Sequence, residues 1–262
     1  DSEAEGLEDA TVAVIAVPSQ SFRTNVVRLK PHMHDSLIIL SATKGLEKTS
    51  TLRMSQIIEE SLSPSISGAM CVLSGPNLAK EVLAEKPSLS VVASKSTQSA
   101  QKIQNILTSE AFRIYTSSDV IGVEMGGALK NIIALGSGVC DGFGFGENTK
   151  SALITRGLAE ITRLGVAVGA NPQTFAGLAG LGDLIATSTS KLSRNRYVGQ
   201  ELARGTKLSI ILRELDNVAE GVHTTIAALD LAKEFGIDMP ITEVTARILF
   251  EDLSPLTAIS QL

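Results

Sequence analysis

Tryptophan is absent from this 262-residue chain, and aromatic residues make up only 3% of it. So few rings leave no stacking platform for single-stranded nucleic acid. An excess of positive charge is absent too. The chain has 23 Lys and Arg against 28 Asp and Glu, a formal charge of −5, and its pI is near 5.3. General nucleic-acid binding needs a basic face, so that class is excluded, although a local cluster of cations could still hold a small anion. Cysteine is scarce: Cys71 and Cys140, both in apolar stretches, read as buried thiols of a reducing compartment rather than a disulfide frame. No uninterrupted apolar run reaches the ~18 residues that span a bilayer. Asp1 to Asp9 is acidic where a secretory leader would be basic and then apolar. Missing as well is a strand, Gly-x-Gly-x-x-Gly turn and helix of the kind that opens a dinucleotide fold. Gly142-Phe143-Gly144-Phe145-Gly146 follows no strand and is not read as a phosphate loop.

What is present is a 44% hydrophobic chain, long enough for one large domain or two ordinary ones. Up to about Ser117, short apolar runs alternate with amphipathic ones. Thr11–Val17, Leu37–Leu40, Met70–Leu73, Leu89–Ala93 and Phe112–Tyr115 are continuous runs, which suits strands covered on both faces. Between them, Phe22, Val26, Val27 and Leu29, then Leu52, Ile57, Ile58 and Leu62, then Ala100, Ile103, Ile106 and Leu107 recur at helical spacing. Strand and helix in alternation is the pattern of an α/β sheet. From Ser118 the strand signal stops. Asp119 can cap a helix to about Ser137, Lys150 to Val168 is periodic at three and four, and Asn171-Pro172 reads as an N-cap followed by Pro. Arg194–Ala203, Thr224–Phe235 and Pro240–Asp252 complete an all-helical half. The division predicts domains at 1–117 and 118–262.

Lys130 sits in Val123-Glu124-Met125-Gly126-Gly127-Ala128-Leu129-Lys130-Asn131-Ile132-Ile133, a segment apolar or small on nearly every side. An ammonium buried there without a partner tends to lose its proton, and a lysine of lowered pKa is a ready general base. The competing reading is a buried ion pair, with Glu124 as a partner on the same segment. Three other residues have plain structural alternatives beside any functional role. Lys44, after a strand end, would pass as a solvated turn lysine, Asp183 as a helix N-cap, and Arg194, at a helix start suited to anions, as a surface arginine. Thr187, one helical turn past Asp183, could line the same pocket. His32 and His34, beside Asp35, read as surface histidines.

Several stretches resemble the NAD(P)-dependent glycerol-3-phosphate dehydrogenases of bacterial type. They are Ile15–Ser19, Ser41-Ala42-Thr43-Lys44-Gly45-Leu46-Glu47, Leu73-Ser74-Gly75-Pro76-Asn77-Leu78-Ala79-Lys80-Glu81, Gly127–Asn131, Asp141–Lys150, Gly177–Leu184 and Ser193-Arg194-Asn195. Any one is weak; together, in this order, they cover the chain from Thr11. The resemblance implies an N-terminally truncated, Rossmann-like parallel sheet (α/β) followed by an all-α C-terminal domain. It implies hydride transfer between sn-glycerol 3-phosphate and dihydroxyacetone phosphate with NAD or NADP and no metal. That reaction serves glycerophospholipid synthesis in the cytoplasm.

By the same resemblance Lys130 is the proton acceptor and Asp183 its catalytic partner. Lys44, Gly75, Asn77, Lys130, Asp183, Ser193, Arg194 and Asn195 bind substrate. Lys44, Ala79, Arg194, Val218 and Glu220 bind cofactor. Asn77 stands where the family pattern has Ser or Thr, and an amide can still donate a hydrogen bond. Glu220 would otherwise pass as an exposed loop residue. Implied partners are a phosphorylated small molecule and, among assemblies, a homodimer, with no nucleic acid and no membrane span. Two alternatives stay open: a related 3-hydroxy acid dehydrogenase, and a truncated, cofactor-free module that binds a phosphorylated ligand or is inactive. A chain beginning partway through a sheet would also turn a central strand into an edge. The choice between NAD and NADP is not written in these residues.

Overall fold

The computed structural model describes residues 2–215 and 217–259. Five strands form one sheet in the order β1-β2-β3-β4-β5: β1 Val12–Ile15, β2 Ile38–Ser41, β3 Cys71–Ser74, β4 Ser88–Ala93 and β5 Phe112–Ser117. Their positions follow the five apolar runs. Helices α1 Glu3–Glu8, α2 Phe22–Leu29, α3 Met54–Ser61, α4 Pro64–Gly68, α5 Ala79–Leu83 and α6 Thr97–Leu107 alternate with them. Ile15, Ile39, Phe22, Val26, Ile57 and Ile58 pack on one side of the sheet. Ile38, Leu40, Cys71, Val92, Ala100, Ile103 and Ile114 pack on the other. Burial on both faces is why these runs are uninterrupted rather than alternating.

The parallel sheet expected from the sequence needs one correction. β1, β2 and β3 are parallel and β4 is parallel to β5, but β4 runs antiparallel to β3, with Val72 opposite Ala93 and Ser74 opposite Val91. The link from β3 to β4 carries only the five-residue α5. A return alongside β3 in the opposite direction needs no full crossover. β1 is an edge strand, hydrogen-bonded to β2 alone among the described residues, and its Val14 is 58% exposed.

Beyond Ser117 the described chain is helical: α7 Val120–Gly142, α8 Glu147–Ala167, α9 Pro172–Phe175, α10 Asp183–Thr189, α11 Arg194–Ala203, α12 Leu208–Glu214, α13 Glu220–Phe235, α14 Pro240–Phe250 and α15 Pro255–Ile259. Asp119 caps α7 through the Gly122 N–H, as its position predicts, and Asn171 caps α9 through Gln173. Helix α13 begins at Glu220, four residues before the expected start, so Glu220 is a helix residue and not part of a loop. The glycine run Gly142–Gly146 is the turn from α7 to α8.

Helix α7 is the axis of this half, with α8, α10, α11, α13 and α14 packed around it. Met125, Leu129, Ile132 and Ile133 meet Ile161, Leu164, Ala227 and Ala228 in the main core. Although no uninterrupted apolar run is long enough to span a bilayer, α7 as a whole is, at a mean hydropathy of 1.2. Yet 83% of that stretch is buried inside the protein. A second, smaller cluster joins the halves: Val72 and Ala93 of the sheet touch Val120 and Val123 of α7 and Ala179.

Candidate active site

The loops after β2 and β3 emerge at the C-terminal ends of parallel strands, where α/β folds hold their ligands. Lys44 lies three residues past β2 and Gly75 directly past β3. Gly75 has φ of 151°, and a Cβ there would come within 2.9 Å of the Ser90 Cα, so only glycine lets the chain turn this close to β4. The Lys44 ammonium fills the turn. It donates to the Gly75 carbonyl (3.0 Å), to Asn77 Oδ1 (2.9 Å) and to Asp183 Oδ2 (2.7 Å).

From the helical side, Lys130 of α7 donates to Asp183 Oδ1 and to Thr187 Oγ1, each at 2.5 Å. Asp183 and Thr187 are one turn apart at the start of α10, and Thr187 Oγ1 in turn donates to Asp183 Oδ1 (3.3 Å). One carboxylate therefore holds two ammonium groups, one on each oxygen. Lys130 is 5% exposed, Asp183 2% and Thr187 5%, while the Lys44 side chain keeps 19% of its surface open. A π-turn, Leu178–Gly182, delivers Asp183 to this point. Gly126 of α7 lets that turn in, because a Cβ at 126 would lie 2.5 Å from the Ala179 carbonyl oxygen.

Burial pushes the Lys130 amine down to about 8; the Asp183 charge opposes this and the nearby Lys44 charge adds to it. Burial alone would raise the Asp183 carboxyl, but the two lysines outweigh it and hold it below the usual range. Lys130 is thus both an ion-pair member and a lysine of lowered basicity, so the two readings of the sequence are not exclusive. Asp183, which the resemblance pairs with Lys130, is the partner found; Glu124, the candidate on the same segment, is not. Glu124 is six residues from Lys130, which at about 100° per residue turns it roughly 120° away around the helix. It pairs instead with Arg53 and Ser55.

The other expected residues surround this centre unevenly. Ser193 caps α11, accepting from the Arg196 N–H. Arg194 is exposed, with no hydrogen-bond or ion-pair partner among the described residues. Asn195 is buried; it donates to Asn131 Oδ1 and accepts from the Gly221 N–H, both at 2.9 Å. The Glu220 carboxylate receives the Ser19 N–H (2.9 Å) and the Ser19 hydroxyl from the turn between β1 and α2. Val218, 36% exposed, precedes it by two residues, and Ala79 is exposed at the first turn of α5. His34 bonds to Ser36 and to the Ala10 carbonyl. Asn131 escaped the sequence reading, although an amide beside Lys130 in an apolar helix was a signal.

An α/β sheet joined to a helical body, with an acid-paired lysine at the junction, has the plan of a nicotinamide-linked dehydrogenase. Known proteins narrow this. The description "NAD-dependent glycerol-3-phosphate dehydrogenase N-terminus" matches residues 1–100, and its C-terminal counterpart matches residues 119–260. Glycerol-3-phosphate dehydrogenase [NAD(P)+] from Dehalococcoides mccartyi (strain ATCC BAA-2266) is 50% identical over 98% of this chain and 72% of its own length. The Geobacter metallireducens protein of the same name is 49% identical over 96% of this chain and 75% of its own. The crystal structure of glycerol-3-phosphate dehydrogenase from Coxiella burnetii superposes with a TM-score of 0.93 at 37% identity, covering 98% of this chain and 78% of that one. The chain belongs to the NAD-dependent glycerol-3-phosphate dehydrogenase family.

Proposed function

We propose that this chain interconverts sn-glycerol 3-phosphate and dihydroxyacetone phosphate with NAD or NADP, in the cytoplasm, in the service of glycerophospholipid synthesis. The observation that carries the reading is the Lys130–Asp183–Lys44 array, set between strand ends and helices in a chain half identical to enzymes named for that reaction. Neither alternative, a 3-hydroxy acid dehydrogenase or a cofactor-free module, is favoured by these relatives.

Lys130 is the proton carrier. In oxidation its neutral amine takes the proton of the C2 hydroxyl; in reduction its ammonium returns one to the developing alkoxide. Asp183 and Thr187 fix the direction of the Nζ and keep the charged form available. Lys44 presents a second, partly open ammonium to the oxygens of the substrate, beside Gly75 and Asn77. Ser193, Arg194 and Asn195 take the phosphate at the N-terminus of the ten-residue α11, where free N–H groups and the guanidinium fork favour an anion.

In this reading the dinucleotide lies along the loop after β2. Gly45, at φ of 149°, brings the loop so near Ser19 that a Cβ would approach within 2.7 Å. Ala79, Arg194 and Val218 are exposed and free to meet the dinucleotide, and Lys44 and Glu220 would supply polar contacts. When bound, the nicotinamide supplies or accepts the hydride. In this reading residues 1–117 are the cofactor domain and 118–262 the substrate domain, and two copies of the chain form the working unit.

The test is turnover of glycerol 3-phosphate and dihydroxyacetone phosphate against a 3-hydroxy acid, together with nicotinamide fluorescence on adding the chain to NADH or NADPH. Turnover of the 3-hydroxy acid alone, or no fluorescence change at millimolar cofactor, would overturn the assignment.

A further inference from the structure

A second nearly buried ion pair crosses from the strand-rich part to α7. Arg53 Nη1 lies 2.7 Å from Glu124 Oε2, with side chains 14% and 7% exposed. The other Glu124 oxygen accepts the Ser55 N–H at 2.8 Å, and the Ser55 hydroxyl donates to Oε2 at 2.5 Å. The carboxylate thus caps the first turn of α3 while it holds Arg53.

Arg53 has another role. Its backbone pairs with Leu46 in an isolated antiparallel bridge, and the Glu47 N–H donates to the Leu52 carbonyl. Residues 46–53 therefore form a closed excursion, and Lys44 stands two residues before it. On α7, Gly127 lies one turn beyond Glu124, and a Cβ there would sit 3.5 Å from the Lys44 Cγ. Lys44, Glu124 and Gly127 line one small cavity together with Ser41, Thr43 and Ser74. The foot of the excursion and the lysine stem both rest on the same turn of α7.

Stability alone does not explain such a pair. Buried ions are costly to desolvate, and well-packed apolar residues of similar volume often hold two surfaces at least as firmly. What directional bonds add is a fixed register between the surfaces. We propose that Glu124 is a positioning residue: by clamping Arg53 and Ser55 it seats the loop 42–53 on α7 and so sets where the Lys44 ammonium meets Asp183. The proposal rests on the reading of Lys130 as the proton carrier.

The consequence is electrostatic. Lys130 is faced by Asp183 from α10 and by Lys44 from the loop after β2. Arg196 of α11 is turned to Asp141, Glu160 of α8 to the start of α14, and Glu220 of α13 to Ser19. The Lys44 charge helps to keep the Lys130 amine low. Loosening the loop withdraws that charge, so Lys130 becomes more basic.

Glu124→Gln keeps the shape and the acceptor for Ser55 but removes the charge opposite Arg53. In the intact enzyme, lysine side-chain NMR of the ligand-free protein should show Lys130 titrating at least about half a pH unit higher. For oxidation of glycerol 3-phosphate, kcat/KM should drop about tenfold, with its acid limb moved to higher pH by the same amount. Arg53→Lys, which keeps the charge but loses the fork, should shift both in the same direction, and it serves as the test if Glu124→Gln fails to fold. The double variant Glu124→Gln/Arg53→Gln should be no worse than the worse single one, because both act through one contact. A folded Glu124→Gln or Arg53→Lys with unmoved Lys130 titration and unmoved kcat/KM would overturn the proposal. If Lys130→Met abolishes turnover while that result holds, only the role of Glu124 is lost. If Lys130→Met keeps turnover, the underlying reading fails instead.

Discussion

In the proposed reaction Lys130 carries opposite duties in the two directions, and its surroundings give it a middling basicity. With the amine near 8, the ammonium predominates below that pH and the free amine above it. Oxidation consumes the free amine, so its kcat/KM should rise with pH through about 8; reduction consumes the ammonium and should fall over the same range. Initial rates in both directions check this, and parallel limbs would remove Lys130 from the proton step. Lys130→Met should lower kcat at least about 10³-fold while circular dichroism stays unchanged. Stability moves with the same proton. Folded Lys130 titrates below the 10.5 of an exposed lysine, so between about 8 and 10.5 the unfolded chain binds more protons. The cost of burying Lys130 is therefore complete below about pH 8 and fades as pH rises to 10.5. Denaturant midpoints should show the parent gaining on Lys130→Met across that window. Arg194 is the simpler case. It is exposed and unpartnered among the described residues, so Arg194→Lys should leave stability alone and raise KM for the phosphorylated substrate several-fold, since a point charge replaces a fork.

At the level of elements, the site depends on how closely α7 and α11 approach. A Cβ at Gly199 would lie 1.9 Å from the Leu135 carbonyl oxygen, and one at Gly138 the same distance from the Arg196 carbonyl oxygen. Asn195 reaches Asn131 only because these backbones touch. Gly199→Ala should cost about 1–3 kcal/mol by overpacking and also raise KM, as the start of α11 moves away from Lys130. A thermal shift with unchanged KM would show that α11 positions nothing. Much of this layout is legible in the sequence. The five apolar runs coincide with the strands, and Asp119 and Asn171 mark their helix starts because a capping side chain must precede its helix. The direction of β4 is not legible, because strand propensity is the same whichever way a strand runs. Nor is the π-turn Leu178–Gly182: its glycines read as loop, and its shape comes from contacts with Phe175 just ahead of it and with Gly126 far away in the chain. Helical spacing offers Lys130 only Glu124; Asp183, 53 positions off, is legible through the family resemblance alone. Four- to seven-residue helices such as α4, α9 and α12 are too short for periodicity to register.

At the scale of the whole molecule, the strand-rich and helical parts are joined by more than a polar seam. Contacts between domains of one chain commonly resemble transient interfaces, which lets the parts move and melt separately. Here Val72 and Ala93 share an apolar cluster with Val120, Val123 and Ala179, and Leu46, from the loop after β2, is fully buried in the core around α7. Lys44–Asp183, Arg53–Glu124 and Ser19–Glu220 add three charged contacts across the same boundary. Melting the helical part alone would strip Leu46 of its core and leave the Lys44 and Arg53 charges without their counter-ions. Melting the sheet alone would expose Val123 and leave Asp183 short of one of its two cations. Each route loses apolar burial and uncovers a half-paired charge, which is expensive in an interior that cannot at once rehydrate it. The two parts should therefore unfold together. Calorimetry should give one transition whose calorimetric and van't Hoff enthalpies agree, and ligand bound at the shared site should move that transition upward as a whole. Two resolved transitions, with only the higher or only the lower one responding to glycerol 3-phosphate, would mean that the site lies within one part and that the contacts across the boundary do not couple the halves.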